Sequence, residues 1–367
     1  MGKPIPWFSV ETGPEETARL AEVVASNYIN DGNVTRDFER RCAEILGVKH
    51  CVGVTSGTAG IALALMAVGI GQGDEVIVPD LTFIATANAA RLAGASVKLV
   101  DVEPRRFALD VAKVEAAIGP KTRAIVPVDV NGRGADYPAL EALCAKHGLE
   151  LVCDAAEAFG SRYQGKTLGS LGLAAAFSFS ANKTVTTGQG GMVATNDDAI
   201  HDRLRELKDH GRRHQGSGGN DLHPVLGFNF KLTNLQAAIG LCQLDRLEHR
   251  LDAFRRRKRW YQELLGDCPG IVLPAVDHNG GEITQWTDAL IERAGDVEKA
   301  LAAEKIGSRR FWHPLHRQES YKRPDAGFEA SIDVSARGLW LPSHFSLTEG
   351  EAERTAGVVR RVVTGRA

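Results

Sequence analysis

Glu75-Val-Ile-Val-Pro79 is the first of four short apolar segments that decide the fold; the others are Ser96-Val-Lys-Leu-Val100, Arg123-Ala-Ile-Val-Pro127 and Glu150-Leu-Val-Cys153. Parallel strands that are covered on both faces have such nearly continuous apolar sequences. Helices are predicted between these segments at 81–92, 111–118 and 137–147. The alternation predicts right-handed β–α–β crossovers and a three-layer αβα domain of the α/β class, with a mainly parallel sheet.

The pattern changes after residue 183, and a smaller α+β domain is predicted towards the C-terminus. At about 150 residues per domain, a chain of this length is expected to have two domains. We place them at 1–245, with the N-terminal segment included, and at 246–367. The predicted later elements are a strand at 190–195, a helix at 197–210, a mobile Gly-rich loop at 210–220, a long helix at 233–264, strands at 286–291 and 307–312, and a helix at 296–304.

The composition limits the possible partners. With 44 basic and 46 acidic residues the formal charge is −2, which gives no electrostatic case for nucleic acid or an acidic membrane. The basic run Arg255-Arg-Arg-Lys-Arg259 is interpreted as a solvated helix face. No segment approaches the roughly 20 apolar residues that cross a bilayer, and no signal peptide is evident, so a cytoplasmic location is expected. The six cysteines contain no Cys-x-x-Cys pair, so neither a metal site nor a disulfide framework is predicted.

The first chemical signal is Thr55-Ser56-Gly57-Thr58, which follows the strand-like residues 51–54 and precedes a helix predicted at 59–67. Small hydroxyl residues and a glycine at a helix N-terminus leave backbone N–H groups free, and the helix dipole favours a phosphate there. Capping of the helix by Ser56 or Thr58 is the alternative interpretation.

Two further signals are Asp154 and Lys183, each at the end of an apolar strand. An acid behind a buried strand requires a cationic partner, or else it is a helix N-cap. A lysine in a desolvated place has a lowered pKa and can attack a carbonyl, unless it is simply exposed at the strand end.

Taken together, the three signals match the needs of pyridoxal phosphate. The cradle anchors the phosphate, Asp154 keeps the pyridine nitrogen protonated, and Lys183 forms the Schiff base. Phe83 is expected to stack on the ring, with ordinary core packing as the alternative.

The sequence resembles the DegT/DnrJ/EryC1/StrS family of sugar aminotransferases over nearly its whole length, and within that family it is most similar to the GDP-perosamine synthases. The resemblance implies the fold type I aminotransferase architecture. It is carried by Thr55-Ser-Gly-Thr-Ala59, Gly71-Gln-Gly-Asp-Glu-Val-Ile-Val-Pro79, Thr82-Phe-Ile-Ala85, Asp154-Ala-Ala-Glu-Ala-Phe-Gly160, Ser178-Phe-Ser-Ala-Asn-Lys183, Thr187-Gly-Gln-Gly-Gly191, Gly227-Phe-Asn-Phe-Lys-Leu-Thr-Asn234 and His313-Pro-Leu-His316.

The resemblance implies roles for individual residues. Lys183 would carry the cofactor and shuttle the proton, Asp154 would contact the pyridine nitrogen, and Glu157 would lie near O3′ of the cofactor. The phosphate would be bound by Ser56, Gly57, Thr58 and Ser178, with Phe83 on the ring.

Three more residues receive roles from the same resemblance. Asn229 would reach the cofactor phosphate of a neighbouring subunit, which implies a homodimer with shared active sites. His313 and His316 would belong to the sugar pocket.

The implied reaction transfers an amino group from L-glutamate to a nucleotide-linked ketosugar, as in aminosugar synthesis for O-antigen or another polysaccharide. The expected position is C4 of a GDP-linked 4-keto-6-deoxyhexose. The alternatives are a 3-ketosugar, a smaller carbonyl compound without a nucleotide, or a non-catalytic ligand-sensing regulator. Departures from the family pattern at Asp129, Asn131, Gln189, Gln285-Trp-Thr-Asp288 and Phe311-Trp312 leave the sugar open.

Overall fold

A seven-stranded sheet forms the centre of the first domain in the computed structural model, which describes residues 2–213 and 221–365. Its strand order is β1-β9-β8-β5-β4-β2-β3, and β9 runs antiparallel to both of its neighbours. The strands are β1 (His50–Val54), β2 (Glu75–Pro79), β3 (Ser96–Val100), β4 (Thr122–Ile125), β5 (Glu150–Asp154), β6 (Arg162–Tyr163), β7 (Lys166–Thr167), β8 (Ala174–Ser178), β9 (Gly191–Thr195), β10 (Ile271–Val272), β11 (Thr287–Ile291), β12 (Arg309–Arg310) and β13 (Gly338–Leu341).

The direction of the strands positions the site. The pairs β2–β3, β2–β4, β4–β5 and β5–β8 are parallel. Since β9 is antiparallel to β1 and to β8, these two strands point the same way. The carboxyl ends of β1, β2, β4, β5 and β8 therefore meet at one edge of the sheet, which is where open α/β sheets bind ligands.

Helices cover both faces of this sheet, and further helices belong to the second domain. Helix α3 is buried along nearly its whole length because its sequence is apolar on all sides. The helices are α1 (Pro14–Ala25), α2 (Asn33–Leu46), α3 (Gly57–Ala67), α4 (Ala85–Leu92), α5 (Val111–Ala117), α6 (Tyr137–His147), α7 (Asp198–Lys208), α8 (Asn234–Asp245), α9 (Leu247–Leu265), α10 (Ala294–Ala303), α11 (Glu329–Arg337) and α12 (Glu349–Thr364).

The long helix predicted at 233–264 is two helices, and this prediction was wrong. Arg246 separates α8 from α9 with φ −101° and ψ 6°, outside helical geometry. Its guanidinium pairs with Glu16 of α1, which also accepts a hydrogen bond from Gln243 at 2.6 Å. The two helices pack on different partners, α8 on α1 and α2 and α9 on α12, so the chain turns between them.

The other predicted elements differ from the observed ones mainly at their ends. Helix α4 begins at Ala85, four residues later than predicted, because residues 81–84 form the turn that carries Phe83. Helix α6 has its predicted bounds, and Gly148, the C-cap after its last residue, has a left-handed φ of 64°. Of the strand predicted at 307–312, Arg309 and Arg310 are paired. The predicted loop at 210–220 lies for the most part outside the described residues.

A four-stranded antiparallel sheet, in the order β10-β11-β13-β12, forms the centre of the second domain. The N-terminal segment packs on this part of the chain. The Ile5 N–H donates to the Lys305 carbonyl at 3.0 Å, and the Ile5 carbonyl accepts from the Gly307 N–H at 2.7 Å. The fold class is confirmed, while the boundary at 245 stays a prediction. Within the described ranges, no helix combines the length and apolar character that crossing a membrane requires.

Candidate active site

One cavity lies at the carboxyl edge of the large sheet, against the second domain. It is lined by most of the residues that the sequence singled out, including both Asp154 and Lys183. Residues of the second domain close it from the other side. The predicted site residues that line it are Ser56, Gly57, Thr58, Phe83, Asp154, Glu157, Ser178 and Lys183.

The N-terminus of α3 forms one end of the cavity. Ser56 caps the helix, since its hydroxyl accepts a hydrogen bond from the Ala59 N–H at 3.1 Å. A Cβ on Gly57 would lie 2.9 Å from the Cβ of Ser178, so glycine lets β8 approach the helix closely. The result is a small-residue surface with backbone N–H groups and a helix dipole, which suits a phosphate.

Gly191 keeps this end of the cavity in place, and its replacement by alanine is expected to weaken phosphate binding. A Cβ there would lie 2.5 Å from the backbone carbon and oxygen of Ser56 and 2.8 Å from the Gly57 nitrogen. Backbone cannot rotate away as a side chain can, so the loop must shift at a cost of about 1–3 kcal/mol. Thermal unfolding and titration with pyridoxal 5′-phosphate would measure the loss, which we expect to reach about tenfold in affinity.

Gly71→Ala is the matched control, because its Cβ would enter open space. Equal affinities for Gly191→Ala and Gly71→Ala would contradict this account of the loop.

Asp154 is 5% exposed at the end of β5. Its carboxylate accepts hydrogen bonds from the Thr86 hydroxyl at 2.7 Å and the Ala156 N–H at 3.1 Å. Burial raises the pKa of Asp154, against the lowering effect of these hydrogen bonds. In the part of the chain that the structure describes, no ion pair to Asp154 is present. A cation in the cavity would therefore stabilise its charged form.

Lys183 is held by a short chain of contacts. Its Nζ lies 3.1 Å from Oε1 of Glu157, and the two side chains are 12% and 6% exposed. The other Glu157 oxygen accepts a hydrogen bond from the Asn131 N–H at 3.0 Å. The amine also lies 5.1 Å from the centre of the Trp286 ring. Lys183 thus occupies a defined, largely water-free position.

Asn131 connects this pair to the second domain. It has a left-handed backbone, with φ 55°, which asparagine tolerates better than most residues. Its side-chain NH2 donates to the Trp286 backbone carbonyl at 2.7 Å and to the Asp288 carboxylate at 2.9 Å. Its side-chain oxygen accepts a hydrogen bond from the Trp286 backbone N–H at 2.6 Å. The sequence marked Asn131 as a departure from the family pattern but gave it no role.

Asp129 is fully buried behind the site, with the Tyr137 hydroxyl 2.8 and 2.9 Å from its two oxygens. Burial raises its pKa from 3.8 to about 7, although the hydrogen bond from Tyr137 opposes the change. The folded protein therefore keeps a proton that the unfolded chain releases at lower pH. Stability falls as pH rises from about 4 to about 7 and levels off above that range.

Asp129→Asn is expected to remove this fall in stability. As pH rises from about 4 to about 7, the unfolding free energy of the variant should increase relative to that of the unchanged protein. The increase is up to about 4 kcal/mol, at about 1.36 kcal/mol per pH unit. Urea unfolding at about pH 5 and about pH 8 covers about two pH units of this window and should show about 2.7 kcal/mol of the difference. Exposed Asp252→Asn is the control, and parallel curves for Asp129→Asn and the unchanged protein would contradict the prediction.

Aromatic side chains form the cavity walls. Phe83 is 52% exposed and lines the cavity, so it is not a core residue. Trp286 and Trp312, from the second domain, line it as well. Both tryptophans belong to the departures from the family pattern that the resemblance connects with the substrate pocket, but neither received a role of its own. Arg309 and Thr86 were not predicted.

The structure does not bring the remaining three predicted residues to this cavity. His313 is exposed, and Asn229 forms a backbone bridge with Asp209. His316 is fully buried, with Nδ1 2.7 Å from Asp80 and Nε2 3.1 Å from Asp325. This corrects the expectation that His316 lines a sugar pocket, because the two carboxylates hold its ring inside the protein.

A model of the DegT/DnrJ/EryC1/StrS aminotransferase family matches residues 10–360. The chain belongs to this family. It is 40% identical over 343 residues to the GDP-perosamine synthase of Caulobacter vibrioides, covering 90% of this chain and 91% of the relative. It is also 40% identical over 339 residues to the UDP-N-acetyl-3-dehydro-alpha-D-glucosamine 3-aminotransferase of Acidithiobacillus ferrooxidans, covering 91% and 90%.

Solved structures of this family agree with the architecture. The S. venezuelae protein DesV, in complex with a ketimine intermediate, superposes with a TM-score of 0.94 at 32% identity over 99% of both chains. The predictions of an aminotransferase of the DegT/DnrJ/EryC1/StrS family, and of pyridoxal 5′-phosphate as its cofactor, are confirmed.

Proposed function

We propose that the protein transfers an amino group from L-glutamate to a nucleotide-linked ketosugar, with C4 of a GDP-linked 4-keto-6-deoxyhexose as the first candidate. One observation carries the proposal. A single cavity holds a buried carboxylate, a partly buried amine and a helix N-terminus, contributed by Asp154, Lys183 and α3. The GDP-perosamine synthase relative at 40% identity supports the choice of sugar.

The residues of the cavity fit pyridoxal 5′-phosphate. The small residues at the start of α3 and Ser178 would hold its phosphate, and the exposed face of Phe83 would stack on its ring. Asp154 has no ion-pair partner among the described residues, and a protonated ring nitrogen would supply one. When bound, the cofactor supplies an aldehyde for the amino group and a ring that accepts electrons.

The protein itself contributes a proton carrier, a buried carboxylate and apolar walls. Lys183 holds a proton at Nζ and moves it to or from the reacting carbon, a step worth about 10²–10⁴-fold in rate. Glu157, 3.1 Å away, orients that amine. With a protonated ring nitrogen opposite it, Asp154 would hold a negative charge at a buried position, and the tryptophan walls would exclude water. The amino group leaves glutamate in a first half-reaction and reaches the ketosugar in a second, and Lys183 moves the proton in each.

We also propose a homodimer in which Asn229 acts at the partner's site. Asn229 lies outside the cavity of its own chain, which is consistent with that role. We further propose that His313 takes part in sugar binding. The domain boundary is proposed at residue 245, and the proposed compartment is the cytoplasm.

A 3-ketosugar is the second candidate, because the Acidithiobacillus ferrooxidans relative at 40% identity is a 3-aminotransferase. A panel of a GDP-4-ketosugar, a dTDP-4-ketosugar, a UDP-3-ketosugar and a ketone without a nucleotide would separate the candidates. We expect 2-oxoglutarate and an amino sugar in equal amounts with the GDP-4-ketosugar. Turnover with the UDP-3-ketosugar alone would favour the second candidate. No conversion of glutamate to 2-oxoglutarate would contradict both candidates and favour a ligand-sensing regulator.

A further inference from the structure

Arg309 is a charged side chain of the second domain that lines the cavity. It lies on β12, opposite Trp340 of β13. Its guanidinium carbon is 5.3 Å from the ring centre of Trp7 and 5.6 Å from that of Trp340. A guanidinium over two indoles is attracted to their faces, so its position is fixed without a carboxylate partner.

Arg309 is exposed, and its surroundings differ from those of the next residue. The neighbouring Arg310 points to the other side of the strand and donates to the carbonyls of Ser335 and Ala336 at the end of α11. Among the described residues, no hydrogen bond or ion pair involves the Arg309 guanidinium. Its N–H donors therefore remain available at the cavity.

Trp286 provides a second, independent observation. It lines the same cavity and is 2% exposed, yet its indole N–H has no acceptor in the described part of the chain. A buried donor without a partner costs free energy, and such groups are rare in native proteins. The acids of the cavity are already engaged, Glu157 by Lys183 and Asn131, and Asp154 by Thr86.

We infer that Arg309 binds an oxyanion of the substrate, with the indole N–H of Trp286, which lines the same cavity, as a further donor. This inference rests on the proposed function and extends it to substrate recognition. The planar guanidinium donates two parallel hydrogen bonds to a carboxylate or to a phosphate. The oxyanion comes from either the carboxylate of the amino donor or the diphosphate of the nucleotide sugar, and the chemistry of recognition is the same in both cases.

Binding measurements on the holoenzyme test the inference without turnover. Glutarate, which has no amino group to transfer, probes the carboxylate source. GDP, UDP and dTDP probe the diphosphate source. Calorimetric titrations would compare the unchanged protein with Arg309→Met, Arg309→Lys and the control Arg310→Gln, each first checked for cofactor content and thermal unfolding.

We expect Arg309→Met to weaken the binding of at least one probe class by about 10- to 150-fold, the range for hydrogen bonds to charged groups. Arg309→Lys keeps the charge without the planar fork and should recover part of the affinity. Arg310→Gln should bind like the unchanged protein. A loss for glutarate alone assigns the amino donor, a loss for the diphosphates alone assigns the nucleotide, and a loss for both means that the two substrates use Arg309 in turn.

The inference is overturned if Arg309→Met binds every probe as the unchanged protein does, or if the unchanged protein binds none of them. Failure of the proposed function looks different, because it would show as absent turnover across the sugar panel while these affinities still depend on Arg309.

Discussion

Lys183→Ala is expected to abolish transamination, with a loss of at least about 10⁴-fold in kcat. The substitution removes the amine that we propose carries the cofactor and moves the proton, and proton transfer alone accounts for about 10²–10⁴-fold. No other lysine lines the described cavity. Steady-state assays with glutamate measure the loss, and the visible absorbance of the holoenzyme should disappear as well.

Lys146→Ala is a suitable control for this experiment, because that lysine is exposed and pairs with Glu115 on the surface. It should keep full activity and colour. Turnover by Lys183→Ala at more than about one per cent of the unchanged rate would contradict the assignment of Lys183, since the proton-transfer contribution alone exceeds that factor.

Asp154→Asn is expected to lower kcat by about 30-fold to several thousand-fold. The amide has the same shape: its oxygen can accept from the Ala156 N–H, and its NH2 can donate to the Thr86 hydroxyl oxygen, whose own proton can go to the Phe83 carbonyl, so the fold is retained. What is lost is a buried negative charge opposite a cation, and removing one member of such a pair costs about 2–5 kcal/mol. Single-turnover kinetics with glutamate would isolate the affected step.

The control for Asp154→Asn is Asp245→Asn, which neutralises an exposed carboxylate paired with Arg41. It should leave kcat unchanged. An Asp154→Asn variant with the kcat of this control would show that the buried charge has no part in the reaction.

The sequence predicted the large sheet and the cofactor end of the site well, for a physical reason. Parallel strands need apolar residues on both faces, so β2, β3 and β5 stand out as short, mainly apolar segments. Polar residues directly after such strands must lie at the carboxyl edge. Asp154 could therefore be placed at this edge from its strand alone, whereas Ser178 was assigned through the family resemblance.

The second domain was less predictable, because its contributions depend on tertiary contacts. The pair Phe311-Trp312 and the segment 285–288 looked unusual, yet nothing local indicates that Trp286 and Trp312 meet at one cavity. His316 resembled a ligand-binding histidine, but its role is set by Asp80, 236 positions earlier in the chain. The break at Arg246 likewise follows from a pair with Glu16.

The central claim is that the amine of Lys183 reacts with the cofactor in a cavity where Asp154 supplies the buried charge. Reduction of the holoenzyme with borohydride, followed by peptide mass mapping, tests it most directly. We predict that the mass of the reduced pyridoxal phosphate group is found on the peptide that contains Lys183, and that it is absent from the Lys183→Ala variant. Finding that mass on another lysine, or on no peptide at all, would contradict the account.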